Sequence, residues 1–576
     1  MRCQSSKSER CAVPQPREGG VSMRISTGRF GFGGGSAQVL SQMRLDSYTL
    51  KYRCAQANSA AKGPVRSITV GGCDSFATQD IAITARRDGE CVSIEVEPLV
   101  PVVVEQCILT IAHGFARGEQ VLLNGYQSWT TTAWLPAWVG MRGLRGVPQP
   151  IVDRYAIDMI GDYRFADYNQ GLNYQHGYTY GVVKLDGRCA LVGSLDESHG
   201  FTLVCTNSSE GQITLETECP QQVLMPGQAQ RLGAYALVEG SKDQVYDRWF
   251  ELSGIKARPV RPLVGYSSWY RHYGDIDRAK LEADLAGART AFEGIDTGNA
   301  LRVFQIDDGF CKVGDWLRVD AAKFPEGMAP LARQVSEAGF LPGLWLAPFV
   351  CEAQSWVFAQ HSDWLLRDET GGAVRTGPHW SGAYALDTRN PAVRDYVRDV
   401  VHTVVRDWGF GLLKLDFLYA ACLVPHDGMN RGELMADAMQ LLREAAGEDT
   451  LLLGCGVPLG SAFGVVDYCR IGCDVGLDWD DKPHMRLLHR ERVSTKNSLT
   501  NTVTRAPLDG RAFGNDPDVF FLRTDVKLAA RRRTSLLHAD AKSGSVLLTS
   551  DDMGEWSASD RAQFQSAVRT LLARKQ

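Results

Sequence analysis

The stretch GLLKLDF (411–417) sets Lys414 and Asp416 on one face of a short predicted strand, with Leu413, Leu415 and Phe417 on the other. Buried charges are costly unless paired, so a cation and a carboxylate on so apolar a strand point to a polar cavity in front of them. Other apolar runs also end in reactive or aromatic groups. Trp269 follows GYSS, Asp307 and Asp308 lie in QIDDGF, Trp345 in GLWLAPF, Cys455 in LGCG, and Arg470 and Asp474 in CRIGCD. Carboxylates facing indole rings suit a sugar: the rings cover the C–H face of a pyranose while charged groups hydrogen-bond its hydroxyls. Two carboxylates flanking an anomeric carbon hydrolyse a glycoside, with retention at about 5–5.5 Å separation or inversion at about 6.5–9.5 Å. Asp416, two residues from Lys414 on the same face, is expected to stay ionised and to suit nucleophilic attack. Asp474, on a separate strand, is its natural partner.

Taken singly, these residues have plainer readings. Asp307–Asp308 could form a loop or helix cap, Asp474 a cap, Cys455 a small buried apolar residue, and Trp345 core. The acidic run DWDD (478–481) reads as a solvated loop near the rim. The histidines are scattered without metal-ligand spacing, so no metal site is assigned; a carboxylate-held metal in a metal-dependent hydrolase is the competing chemistry.

The elements that must position these groups fall into two textures. From about residue 24 to 255 short alternating runs such as CVSIEVEPL, VVVEQCILTIA and QITLETE are punctuated by Asp-Gly at 88–89 and 186–187 and Pro-Gly at 226–227. That rhythm predicts an all-β region of a size suited to a large two-sheet sandwich. KARPVRPL (256–263) is the boundary. Beyond it LVGYSSWY, LRVFQIDDGF, FLPGLWLAPF, GLLKLDF, TLLLGCG, YCRIGCD and SVLLTSD read as strands, mostly alternating with helical segments. DYVRDVVHTVVRDWG shows the helical spacing in Val397, Val400, Val401, Val404 and Trp408, with Gly409 placed to end it. A weaker eighth strand falls in AFGNDPDVF (512–520). Apolar strands alternating with helices predict a parallel sheet, and eight of them a (β/α)8 TIM barrel with its site at the C-terminal strand ends. An open doubly wound sheet is the alternative, but it lacks a glycine-rich first turn here.

The 576 residues are 44% apolar and 22% charged, ordinary for a globular protein, with a net charge of −5 and no basic block; nucleic acid is not an expected partner. Fifteen cysteines lie scattered without zinc-ribbon spacing, which predicts reduced thiols and a cytoplasmic location. The polar start shows no secretory signal, and no apolar stretch of about 18 residues predicts a membrane span. Residues 1–23 are expected to form a disordered extension, with Met23 as an alternative start.

Beyond these readings, GYSSWY, FQIDDGF, GLWLAPF, LLKLDFLYA, LGCGVPLGSAFG and RIGCDV stand in the order found in the α-galactosidases (melibiases) of glycoside hydrolase family 36, clan D, which the chain resembles. NGYQSWT (124–130), GNDPDVFFLR and GSVLLTSDD extend the resemblance over about residues 40–560. It implies an N-terminal β-supersandwich (24–255) followed by a catalytic (β/α)8 barrel (256–576). The family's C-terminal antiparallel β-domain is expected to be missing, since ASDRAQFQSAVRTLLARKQ reads as the last barrel helix.

The resemblance further implies a retaining exo-α-galactosidase acting on terminal α-galactosyl units of oligosaccharides, without metal or cofactor. Asp416 would be the nucleophile and Asp474 the acid/base, starting protonated near neutral pH. Asp307 and Asp308 would hold the C4 and C6 hydroxyls, Lys414 the C3–C4 side, and Arg470 and Cys455 the neighbourhood of C2. Trp269 and Trp345 would wall the sugar, with Trp129 reaching in from the sandwich. An α-N-acetylgalactosaminidase, a transglycosidase on the same scaffold and a non-catalytic carbohydrate-binding protein are the alternatives; homo-oligomerisation stays open.

Overall fold

The computed structural model describes residues 23–25, 43–56, 59–144, 146–168, 171, 173–480 and 482–575. Of the expected N-terminal extension, residues 1–22 lie outside the described residues, whereas Met23–Ile25 forms a short strand parallel to Ile68–Val70. The β-rich region holds two eight-stranded sheets. In one, Val102–Ala112 runs between Arg44–Gln56 and Gln212–Thr217; in the other, Gln230–Gly240 runs between Arg188–Ser194 and Cys91–Pro98. Alternation decides which face is buried: Val92, Ile94 and Val96 of one sheet meet Cys107, Leu109 and Ile111 of the other in one core. Each such buried aliphatic side chain contributes about 1.5–3 kcal/mol. A hydrogen bond of 3.0 Å between Thr217 Oγ1 and the Tyr235 hydroxyl links the two sheets inside that core.

The region is not wholly β, as its alternation suggested. Helices Gln149–Tyr155 and Lys242–Ser253 interrupt or follow the strands. The second starts at a capping box of Ser241 and Gln244, and its buried Trp249 donates to the Ser194 carbonyl at 2.8 Å.

After the extended linker comes the parallel sheet. Its strands are Leu263–Ser267, Leu301–Ile306, Leu341–Leu346, Leu412–Leu415, Leu451–Gly454 and Tyr468–Arg470, then a seventh in two pieces, Gly514–Asp516 and Val519–Phe520, and finally Val546–Thr549. The first piece of the seventh pairs with Tyr468–Arg470 and the second with Val546–Thr549. Both ends of the sheet are therefore halves of one segment, and the sheet curls back on itself in a TIM-like arrangement. The weak eighth strand at 512–520 is this split one. Helix Pro391–His402 buries Val393, Val397, Val400 and Val401, starts at an Asn390 cap, and continues as a wider turn, Thr403–Asp407, before Gly409 at φ 84°. The terminal helix is Ala558–Arg574. No helix among the described residues is long and apolar enough to cross a membrane.

The segment 124–130 leaves the sandwich and docks on the parallel-sheet region. Arg505, wholly buried, donates to the carbonyls of Ser128 (2.6 Å), Gly125 (3.2 Å) and Gln127 (3.3 Å), to Asn124 Oδ1 (3.1 Å), and to the Ile471 carbonyl (2.9 Å). Ser128 N–H in turn donates to the Val457 carbonyl at 2.9 Å. A second tie is the Thr130 hydroxyl, which donates to Glu491 at 2.6 Å.

Burial pushes the Glu491 carboxyl up from 4.5 to about 7. The folded chain holds this proton more tightly than the unfolded one, so the group's contribution is full below pH 4.5 and is lost as pH rises through about 7. Glu491→Gln, which keeps an acceptor for Thr130, should flatten that decline. Thermal midpoints of both proteins from about pH 5 to pH 8 measure it, and parallel curves refute it.

Candidate active site

The C-terminal ends of the parallel strands gather the predicted charged residues. Asp307 and Asp308 follow the second strand, and Lys414 lies on the fourth. Lys414 Nζ donates to Asp307 Oδ2 at 2.8 Å, and Gln305 Nε2 reaches the same oxygen at 2.9 Å. Ser268 Oγ accepts from the Asp307 N–H at 2.9 Å, which fixes the backbone there. The sequence had placed Lys414 against Asp416; its ammonium bonds Asp307 instead, on the neighbouring side of the mouth. Burial disfavours the ammonium, but the negative charge of Asp307 prevails and holds Lys414 above its usual range.

Asp416 is buried at 8% exposure just past the fourth strand. Trp345 Nε1 donates to its Oδ2 at 3.1 Å and the Phe417 N–H to its Oδ1 at 2.8 Å. Burial pushes this carboxyl up, while the Lys414 charge and the bonds from Cys455, Trp345 and Phe417 pull it down. The net direction is upward, so proximity to Lys414 does not by itself settle its charge, contrary to the sequence reading.

Across the mouth, Arg470 ends the sixth strand at 2% exposure and its Nη2 donates to Asp474 Oδ1 at 2.9 Å. The Asp474 side chain is 44% exposed. One carboxylate is thus locked among donors and the other stands half in solvent. Cys473, which precedes Asp474, is buried with its thiol toward the Ser494 carbonyl at 3.6 Å. Within DWDD, Asp480 pairs with Arg492 at 2.6 Å and is half-buried, so this residue is tethered more than solvated; residue 481 lies outside the described residues.

Trp129 comes in from the sandwich side, its Nε1 donating to the buried Cys455 Sγ at 3.3 Å. Gly456 makes that approach feasible. It has φ 54°, and a Cβ there would lie 2.9 Å from Trp129 Cζ2 and 3.2 Å from Asp416 Oδ1. Trp269 opens the helical turn Trp269–His272 after the first strand, half-buried and edge-on to Tyr273 at 5.2 Å.

Other members carried no sequence signal of their own. Trp380 Nε1 donates to Asp308 Oδ2 at 2.7 Å, opposing the burial that pushes Asp308 up to about 6. Its ring lies 5.0 Å from Phe417 and 6.1 Å from Trp345. His379 stands exposed at the rim, 5.0 Å from the Phe417 ring. Although the residue is exposed, water lost around part of the imidazole lowers its pKa, and the charges of Asp416 and Asp474 oppose that. The positive φ values of Trp380 and Phe417, both 52°, are visible only in the folded backbone. Bulky side chains rarely adopt that region, and such strain collects at functional sites.

Residues 257–430 match the melibiase family model. Among curated proteins, α-galactosidase 1 of Pediococcus pentosaceus is 27% identical over 179 residues, covering 29% of this chain and 22% of that protein. The α-galactosidase AgaA of Geobacillus stearothermophilus is 32% identical over 166 residues, covering 27% of this chain and 21% of its own. The matched segment thus spans about a fifth of the length of these curated relatives. Among solved structures, TtGalA, an α-galactosidase from Thermus thermophilus in complex with stachyose, superposes over 86% of this chain and 99% of that one, at TM-score 0.68 and 27% identity. The AgaA crystal structure shares the fold over 92% of this chain and 73% of that one, at TM-score 0.55 and 14% identity.

Lys414→Met leaves the Asp307 carboxylate without its cation and should cost about 3–5 kcal/mol of stability. Adding Asp307→Asn should recover much of that loss. Urea unfolding of the two single variants and the double variant tests the coupling; losses that simply add show that the pair does not interact.

Proposed function

We propose that the chain is a retaining exo-α-galactosidase that hydrolyses terminal non-reducing α-D-galactosyl units of oligosaccharides. The observation that carries this reading is the unlike setting of two carboxylates in one barrel mouth: Asp416 buried among fixed donors, Asp474 half-exposed on Arg470. A nucleophile must be held still beneath the sugar, whereas an acid/base must reach both leaving group and water. The melibiase match and the stachyose-bound Thermus relative support the sugar class. So does a second structure of that relative, in complex with p-nitrophenyl α-D-galactopyranoside.

In the first step an Asp416 oxygen attacks C1. The glycosidic C–O bond breaks, the departing oxygen takes the proton of Asp474, and a galactosyl ester forms on Asp416. In the second step the Asp474 carboxylate takes a proton from water, whose oxygen attacks C1 and releases Asp416 and α-galactose. Asp307 and Asp308 accept from the C4 and C6 hydroxyls, the axial C4 hydroxyl being what distinguishes galactose from glucose. Lys414 binds the C3–C4 side, and Arg470 and Cys455 line C2. Trp269, Trp345 and Trp129 wall the ring. Closure of Trp129 on Cys455 favours a hydroxyl at C2 over the acetamido group of an N-acetylgalactosaminide. The donor and acid roles distinguish this reading from a pure binding protein, which needs no proton donor beyond the anomeric carbon. The chain reads as a sandwich over 24–255 and a catalytic barrel from 256 onward. The free thiols among the described cysteines accord with a reducing, cytoplasmic setting.

A 2-deoxy-2-fluoro α-galactosyl donor should inactivate the enzyme and leave its label on the peptide containing Asp416; a label elsewhere sinks the nucleophile assignment. Asp416→Ala should abolish turnover of nitrophenyl α-galactoside, and the wild type should prefer that substrate to its 2-acetamido analogue. Chelator should leave the rate unchanged. Trp380→Phe keeps the ring but removes the Asp308 donor; it should lower kcat/KM about tenfold, the value of a hydrogen bond to a charged group.

A further inference from the structure

The pairing of Arg470 with Asp474 poses a chemical problem. A guanidinium beside a general acid favours the ionised carboxyl and so opposes donation to a leaving group. Behind the pair lies Asp518, at the break in the seventh strand, buried and left-handed at φ 85°. Its Oδ2 is 2.5 Å from Arg470 Nη2, the same nitrogen that holds Asp474. That oxygen also accepts from the Tyr270 hydroxyl at 2.5 Å and from the Val475 N–H at 2.8 Å, the amide directly after Asp474.

One buried oxygen therefore ties the end of the first strand, the sixth strand and the loop bearing Asp474. The other charged or titratable neighbours of Asp518 are Asp516, which accepts from the Asp518 N–H at 2.9 Å, the Cys473 thiol, and Asp540 on helix Ala530–Ser543. Asp540 is buried, and neither of its carboxyl oxygens has a hydrogen-bond partner among the described residues. Burial pushes the Asp540 carboxyl well above the carboxylate range. Burial also pushes Asp518 up to about 7, against the pull of the Arg470 charge, and Asp518 is the carboxyl in direct contact with that guanidinium. Asp474 itself faces Arg470, Asp518, Tyr270, Tyr273, Cys473 and His379.

We propose that Asp518 is a positioning residue for the acid/base: its carboxylate offsets the Arg470 charge and pins the Val475 amide, keeping Asp474 aimed at the leaving oxygen and able to carry a proton. This rests on the α-galactosidase reading above. Asp518→Asn keeps the size and an acceptor oxygen but lacks the charge. Raffinose needs its leaving sugar protonated, and its kcat/KM, which reports the first displacement, should fall by roughly 10²-fold. Nitrophenyl α-galactoside, whose phenolate departs unaided, should lose less than about threefold. The alkaline limb of the raffinose profile should move about one pH unit toward acid, because an uncompensated Arg470 favours the Asp474 anion.

Equal losses on both substrates with an unmoved limb overturn the role of Asp518, as does an unaltered enzyme. If the Asn variant fails to fold by circular dichroism, Tyr270→Phe, which removes one donor to Asp518, should give both signatures at smaller amplitude, and their absence there overturns the proposal. A wild type that cleaves neither substrate refutes the α-galactosidase reading itself, and the Asp518 role with it; a wild type that cleaves both leaves only the Asp518 role at stake.

Discussion

A carboxylate can stay in the mouth of an apolar barrel only if its oxygens are met by donors, and the site follows from meeting that demand. Asp307 has Lys414 and Gln305, Asp308 has Trp380, Asp416 has Trp345 and the Phe417 amide, and Asp474 has Arg470. Lys414, Trp380 and Trp345 come from a different strand end or loop than the acid each serves, whereas Gln305, Phe417 and Arg470 lie within four residues of theirs. The strands therefore cannot slide or separate without stranding a charge. What makes the site costly to build also makes it rigid.

Rigidity is extended by backbone that is held against its preference. Trp380, Phe417, Tyr273 and Asp518 all have positive φ, and all lie at or just behind the mouth. For Phe417 the effect is direct, since the left-handed turn aims its amide at Asp416. For Trp380 the turn presents an indole N–H to Asp308 while its ring packs on Phe417. Local strain of this kind costs about 1–3 kcal/mol per residue and persists only where the surroundings over-determine it. The aromatic contacts among Trp316, Trp345, Trp380 and Phe417 are such surroundings.

Among the described residues, the sandwich reaches the site through the loop 124–130. Arg505 gathers four acceptors from residues 124–128 and one from Ile471, just beyond the sixth strand. Arg505 is wholly removed from water, and that burial lowers its guanidinium to about 10. With those carbonyls fixed, Trp129 has one approach, over Gly456 and onto Cys455. Any loosening of the contact between the two regions would therefore reach the site directly.

The residue order determined a good deal alone. Alternation marked the β-rich half because side chains on a strand have a period of two, and apolar runs between helical segments marked the parallel sheet. Charged groups at strand ends were legible because few other places on such strands tolerate them. The quoted motifs therefore delivered Asp307, Asp308, Lys414, Asp416, Cys455, Arg470 and Asp474 as neighbours. Only the folded chain decided who pairs with whom. Lys414 lies two residues from Asp416 but bonds Asp307, because the curl of the sheet turns the inward side chains of the second and fourth strands toward each other across the third. Trp380 carried no signal, and Asp518, though inside the quoted GNDPDVFFLR, carried no role, for the same reason: both roles depend on left-handed backbone and on contacts across 72 and 48 residues, which no local pattern encodes.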